Sequence, residues 1–310
     1  MSEKNRKFPQ LAKNLLSWSI ACALVIVLLM KLWKHYDILL EQKVSLSPTA
    51  LMLSLPPLIL SYFFIPPMWR MILESLGVSM SYRKAFQIQY LSHLGKYLPG
   101  KIWPYIAQSY LASQANIPVK MILLSNALLM CLMSIGSLLV FAVSFLALSV
   151  FPLSTRCLLV LLGFSLVYFI FSTRILEKGI NLLLIHLTGA SRMFHSSSLN
   201  YPRLFTALFL NWTVFLIGFH IMVNSFYNME FIQSIIIVGI YSISWLVGYC
   251  AFLSPGGLVI QEGVYVYLLQ FFFPLPISIV IAFAVRLWMT IGDLCISLLA
   301  VALLCFEKKG

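Results

Sequence analysis

Three residues in the last third of this chain stand where charge is expensive. Glu262 follows a Pro-Gly-Gly turn, and Arg286 and Asp293 lie two helical turns apart inside the apolar run 277–304. An ionised side chain in hydrocarbon costs several kcal/mol unless it is paired, so such residues face a bundle interior or a cavity. One chemistry open to them is anion capture, with Arg286 clamping a phosphate while Glu262 or Asp293 holds it in place. The plainer one is an ion pair from Arg286 to Glu262 or Asp293 that locks two helices.

Two Pro-Gly breaks complete the set. The first, 93–104, places Lys96, Tyr97 and Lys101 around Pro99-Gly100 and follows them with Trp103 and Pro104. Proline suits the first turn of a helix, where its missing N–H costs nothing. A helix beginning near Ile102 aims free N–H groups and the positive end of its dipole back at the turn, and with two lysines that combination binds phosphate. The second break sets Ser254, Pro255, Gly256 and Gly257 ahead of a helix expected from about Leu258 to Phe273. Sixteen residues rise only about 24 Å, short of a comfortable crossing. Gly256 and Gly257 allow positive φ and close approach of a ligand. Irregular backbone at membrane depth survives only when buried in protein or lining a wet cavity. The breaks lie about half the chain apart, the pattern of interrupted segments that meet at a substrate site between structural repeats.

The elements that must carry these residues are helices in a bilayer. Over 310 residues, 61% are hydrophobic and 10% charged, with a mean hydropathy of +0.95. Such a chain cannot cover its apolar surface in water and reads as an integral membrane protein. Apolar runs near the ~20 residues that a crossing needs fall at 15–32, 48–69, 119–149, 157–173, 203–225, 231–253 and 277–306. Two shorter stretches, 84–112 and 256–273, carry the breaks. The expectation is an all-α, polytopic membrane protein of about seven or eight transmembrane helices, two of its elements re-entrant or broken, with a possible internal pseudo-repeat. No small-residue cleavage site follows the run 15–32, so it is read as an uncleaved span. A basic tail, 1–14, and a short tail, 307–310, then flank a single membrane domain, 15–306.

Basic residues accumulate in cytoplasmic loops. With the N-terminus inside, the cytoplasmic set is Lys4, Arg6, Lys7, Lys13, Arg70, Arg83, Lys84, Lys96, Lys101, Lys120, Arg174, Lys178, Arg192, Arg203, Lys308 and Lys309. Only Lys31, Lys34, Lys43 and Arg156 fall outside, so both termini are expected in the cytoplasm. Residues 83–97 place Phe86, Tyr90, Leu94 and Tyr97 at helical spacing, with Gln87, Ser92, His93 and Lys96 elsewhere on the surface, as in an amphipathic helix lying at, or dipping into, the cytoplasmic boundary.

The net charge of +12 points to a membrane surface or an anionic lipid rather than nucleic acid, since no soluble stretch exists to form a nucleic-acid groove. The six cysteines and five histidines are scattered without metal-ligand spacing, so neither a metal nor another cofactor is expected. Glu74, Glu177 and Glu230 read as solvated span ends. The tryptophans and Phe271-Phe272-Phe273 read as interface belt and packing, and Asn211 and Asn224 as polar glue between helices.

The stretch Gly95 to Trp103, the pair Pro255-Gly256-Gly257-Leu258 with Glu262-Gly263, and Arg286-Leu287 resemble the transmembrane-region family of the lysylphosphatidylglycerol synthases, the flippase-like membrane domain of the multiple peptide resistance factor. The resemblance runs in order along nearly the whole chain. It implies a bacterial or archaeal protein of the cytoplasmic (inner) membrane that moves an anionic or modified lipid between leaflets, or serves a lipid-linked sugar pathway of the cell envelope. By it, the basic, Pro-Gly and Arg286 positions form the headgroup site. The family often has Arg where this chain has Gln261, which bears on headgroup preference. The chain stops at Gly310, just after the last apolar run, so the aminoacyl-transferase activity of the bifunctional members is not expected of it.

Lipid transport is therefore the leading expectation, with phospholipid, aminoacylated phospholipid or polyprenyl-linked cargo. A polyprenyl-phosphate-dependent membrane glycosyltransferase is the alternative, and its outward acids would be Asp37 and Glu41. A third reading is a non-catalytic subunit of an envelope lipid or polysaccharide assembly. Expected partners are the lipid itself and envelope-biosynthesis proteins or further copies of the chain.

Overall fold

The computed structural model describes residues 47–97, 102–147, 199–250 and 258–307, together with the single positions 30, 152, 154, 157, 161 and 181. The expected spans 15–32 and 157–173, and the tail 1–14, lie outside the described residues. So do Asp37, Glu41, Pro99, Gly100, Lys101, Ser254, Pro255, Gly256 and Gly257. The described residues are all helical, without strands, and five helical stretches are long and apolar enough to cross a membrane: Pro48–Ser75, Val119–Ala147, Tyr201–Asn224, Phe231–Cys250 and Leu275–Cys305.

The first stretch is two helices. Ser47 caps α1 (Pro48–Tyr62), accepting from the Ala50 N–H, and a tight turn at Phe63-Phe64 leads into α2 (Ile65–Ser75). The break follows from Pro66 and Pro67. Without N–H groups they cannot bond the carbonyls of Tyr62 and Phe63, which must find donors elsewhere. Helix α3 (Tyr82–His93) supplies them: Tyr90 donates to the Tyr62 carbonyl and Tyr82 to that of Phe63, the latter at 3.3 Å.

A 3₁₀ turn, Leu94–Tyr97, follows α3, and α4 (Trp103–Ser113) begins with Pro104 in its first turn. The two helices form a hairpin. Gly95 lies directly on the returning backbone, where an added Cβ would sit 2.9 Å from Pro104 N and from Trp103 C. Gln108 donates to Gln89 at 3.0 Å across the pair, and Asn126 of α5 (Val119–Ser144) donates to Gln108 at 2.7 Å.

Asn200 caps α6 (Tyr201–Asn224), which is followed by α7 (Phe231–Cys250), α8 (Leu258–Leu269) and α9 (Leu275–Glu307). The most extensive contact joins α6 to α1, where Gly218 lets the backbones meet. A Cβ there would be 3.1 Å from the Ser54 carbonyl oxygen. Helices α5 and α7 exchange two bonds, Ser137 hydroxyl to Ser242 carbonyl at 2.6 Å and the reverse at 2.9 Å, the hydroxyl-to-backbone pairing that joins helices in apolar surroundings. Helix α8 packs between α7 and α9. On α9, Val285, Trp288, Ile296 and Ala300 are buried, whereas Leu287, Leu294 and Leu298 face outward at helical spacing.

The stretch 84–112 is two helices, α3 and α4, the second starting within a residue of the expected Ile102. The structure departs from expectation in two places. Residues 83–97 are not an amphipathic surface helix. Gln87 and Ser92, from the polar side, are 2% and 3% exposed, because α4 and α9 cover them. The helix expected to reach Phe273 stops at Leu269, where the N–H groups of Phe272 and Phe273 both turn back to the Leu269 carbonyl, ahead of the donorless Pro274.

Candidate functional site

Arg286 and Asp293 serve two separate pairs. Arg286 Nη1 lies 3.4 Å from Glu262 Oε1 on α8, while Asp293 Oδ2 pairs with Lys96 Nζ at the end of the 3₁₀ turn. His93 Nε2 stands 3.4 Å from Asp293 Oδ1 and 2.9 Å from Lys96 Nζ. An ammonium has protons only to give, so Lys96 donates to Nε2 and the ring proton resides on Nδ1. That bond leaves Lys96 as the cation opposite Asp293.

Helix α9 gives the depth of these pairs. Arg286 is about 16 Å along the axis from its start at Leu275, and Asp293 about 21 Å from its end at Glu307. Hairpin α3–α4 approaches from the C-terminal end: Arg83 donates to the Leu303 carbonyl at 2.6 Å, Ser297 to the Tyr90 carbonyl at 3.1 Å, and Lys96 reaches Asp293. Arg83 thereby caps a last-turn carbonyl, a favourable place for a cation. Helices α7 and α8 approach from the other end, since α8 leads into α9 through the turn 270–274 and carries Glu262 back to Arg286. Where the two helix pairs meet, the hydroxyls of Tyr105 on α4 and Tyr249 on α7 are 3.4 Å apart.

These positions correct the loop assignment of Lys96. It is not at a helix-end boundary among the basic residues but about three-quarters enclosed beside the middle of α9, because Asp293 supplies the counter-charge that makes that depth affordable.

Polar aromatics surround the pairs. Tyr241, Gln261, Glu262, Tyr265, Arg286 and Met289 line a cavity whose free space is about 10 Å³, room for about one water. Glu262 Oε2 and the Tyr265 hydroxyl are buried without a hydrogen-bond partner among the described residues, as is Trp288 Nε1 nearby. Tyr241 donates to Met289 Sδ at 2.7 Å, and its ring packs edge-on against Tyr265.

Of the residues singled out in the sequence, Lys96, Glu262, Arg286 and Asp293 are brought to adjacent levels of α9. Tyr97 closes the 3₁₀ turn and Trp103, 42% exposed, opens α4. Among the described residues no group of three metal-ligating side chains forms. Asn211 does join helices, donating to the Ser61 carbonyl at 2.8 Å. Asn224 instead ties the α6–α7 connector through both Met229 backbone groups. Glu74 makes an exposed pair with Arg70 at 2.7 Å. Sequence reasoning missed Tyr241 and Tyr265 and the Gln89–Gln108–Asn126 chain. The usable signal was polarity inside apolar runs.

The fold and site define an all-α chain with helices suited to crossing a membrane and two charged pairs within its bundle. No family model matches the chain, and no curated protein matches it.

Proposed function

We propose that the chain is a lipid transporter that moves an anionic, modified or polyprenyl-linked lipid between leaflets of a bacterial or archaeal cytoplasmic membrane, as its resemblance to the lysylphosphatidylglycerol synthase membrane region implies. The observation that carries the reading is that each of two helix pairs brings a charge to mid-α9, Lys96 beside α3–α4 to Asp293 and Glu262 of α7–α8 to Arg286, while Tyr105 and Tyr249 touch between the pairs at 3.4 Å. Read as re-entrant hairpins from opposite faces, they leave six crossings: 15–32, 48–75, 119–147, 157–173, 201–224 and 275–305. The order crossing, crossing, hairpin, crossing then occurs twice with opposite orientation, the arrangement of inverted-repeat transporters. Both termini fall on one side, with Arg70, Arg83, Lys84, Lys120, Arg203 and Lys308, which the charge bias makes cytoplasmic.

In this reading Arg286 is the principal clamp of the headgroup phosphate, and the sequence resemblance assigns Lys101 of the first Pro-Gly break to the same headgroup. The present space at Arg286 admits about one water, so loading requires the hairpins to part. Alternating access follows when one hairpin moves with its own half.

The test is reconstitution into phosphatidylcholine vesicles with a trace of fluorescent phosphatidylglycerol, whose inner-leaflet pool is read by impermeant quenching. Wild type is expected to equilibrate the leaflets, and the R286Q/K101Q double variant, inserted to the same level, to fall to the rate of empty vesicles. Equal rates for the double variant and wild type would overturn the proposal.

A further inference from the structure

We propose that Glu262 is a proton-binding site coupled to Arg286, its free oxygen taking up one proton from the medium when an anionic headgroup engages the guanidinium. The inference rests on the reading of Arg286 as the headgroup clamp.

The geometry around Glu262 is unfinished in a specific way. Oε1 faces Arg286 Nη1 at 3.4 Å, longer than the 2.7–2.9 Å of a tight charge-assisted bond. Oε2 is buried and has no partner among the described residues. Tyr265, one helical turn on along the same face, presents a second unpartnered group and is 2% exposed. Both residues line the cavity with room for about one water. A buried carboxylate oxygen without a donor is costly, whereas a carboxylic acid gains an O–H that can donate to a water or to the tyrosine oxygen. The cavity therefore suits the protonated form as well as the ionised one.

The groups facing Glu262 are Arg286 from α9, Tyr241 from α7, and Gln261 and Tyr265 from its own helix. Arg286 is the one full positive charge among these described neighbours. The next ionised group along α9, Asp293, is engaged by Lys96 with His93 alongside. When a phosphate takes Arg286, Glu262 loses its counter-charge and gains a like charge beside it. Both changes favour protonation. Asp293 undergoes neither, because Lys96 stays with it. Proton and anion thus bind together on Arg286–Glu262. By linkage, each anion bound takes up one proton, and affinity falls about tenfold per pH unit over the range where Glu262 is ionised before binding.

The experiment uses full-length protein in phosphatidylcholine nanodiscs in weakly buffered medium with a pH indicator. Short-chain phosphatidylglycerol and inorganic phosphate are titrated in separate arms. Phosphatidylglycerol binding with uptake of about one proton per protein, together with a carboxylic C=O stretch in the infrared difference spectrum that E262Q lacks, supports the inference. In E262Q, binding is expected to persist and to lose its pH dependence. Phosphatidylglycerol binding without proton uptake overturns the inference and leaves the transport reading standing. Proton uptake with inorganic phosphate alone supports the proton site and overturns the lipid reading. If neither anion binds, both fall. Because proton uptake and the infrared band are read on wild type, misfolding of E262Q does not remove the test.

Discussion

The two ion pairs on α9 lie two turns apart and are built differently. Asp293 has the Lys96 ammonium at Oδ2, with the His93 ring beside Oδ1, on a turn held by Gly95 and by the hairpin's own glutamine bond. Glu262 has one partner at 3.4 Å and one oxygen without any among the described residues. The first arrangement is a fastener, since removing Lys96 or Asp293 strands the charge of the other. The second is a latch, since its acid can lose Arg286 and accept a proton. The same helix thus fixes one hairpin against itself and leaves the other releasable.

The largest test of that contrast is Asp293→Ala. It leaves Lys96, about three-quarters enclosed, without its carboxylate, and breaking such a pair typically costs about 3 kcal/mol. Thermal unfolding in detergent should fall by several degrees, and an unchanged midpoint would show that the pair is not a fastener. Gly95→Ala comes next at about 2 kcal/mol, because the added Cβ meets backbone at 2.9 Å and the returning strand has nowhere to move. Proteolysis near residues 94–103 would report the same loosening.

Asn126→Ala removes the donor to Gln108 and should cost about 1 kcal/mol, read as faster hydrogen exchange in α3 and α4. Glu262→Gln should have the smallest effect, under about 1 kcal/mol, since a neutral amide removes the charge but still offers Arg286 an oxygen. A loss from Glu262→Gln as large as that from Asp293→Ala would erase the distinction between fastener and latch.

How much of this was legible in the chain depended on whether the signal was local. The apolar runs announce helices long enough to cross because hydrocarbon thickness sets the length required, and Pro104 marks the start of α4 because a first turn loses nothing to its missing N–H. Arg286 and Asp293 stand out because charge inside such a run needs a reason. Pairing was not legible. Glu262 and Asp293 were equally plausible partners for Arg286 until α8 was seen to bring one of them alongside and Lys96 to occupy the other. Lys96 was counted as a loop cation because charge counting treats every lysine in a polar stretch as hydrated, and its partner lies far along the sequence. Gln89 and Gln108 likewise read as ordinary polar residues, since the bond between them exists only after the turn at Gly95 closes. The run 48–69 reads as one span although Pro66-Pro67 break it into α1 and α2, and nothing local says that tyrosines from α3 take the freed carbonyls.

The central claim is that the space between the helix pairs is a substrate site that opens for each lipid moved. Its most direct test bridges Tyr105→Cys and Tyr249→Cys, whose parent hydroxyls are 3.4 Å apart, with a short cleavable bismaleimide in a background without other cysteines. Bridged protein should lose movement of fluorescent phosphatidylglycerol in vesicles and regain it when the bridge is cleaved. Movement by fully bridged protein at the unbridged rate would contradict the claim.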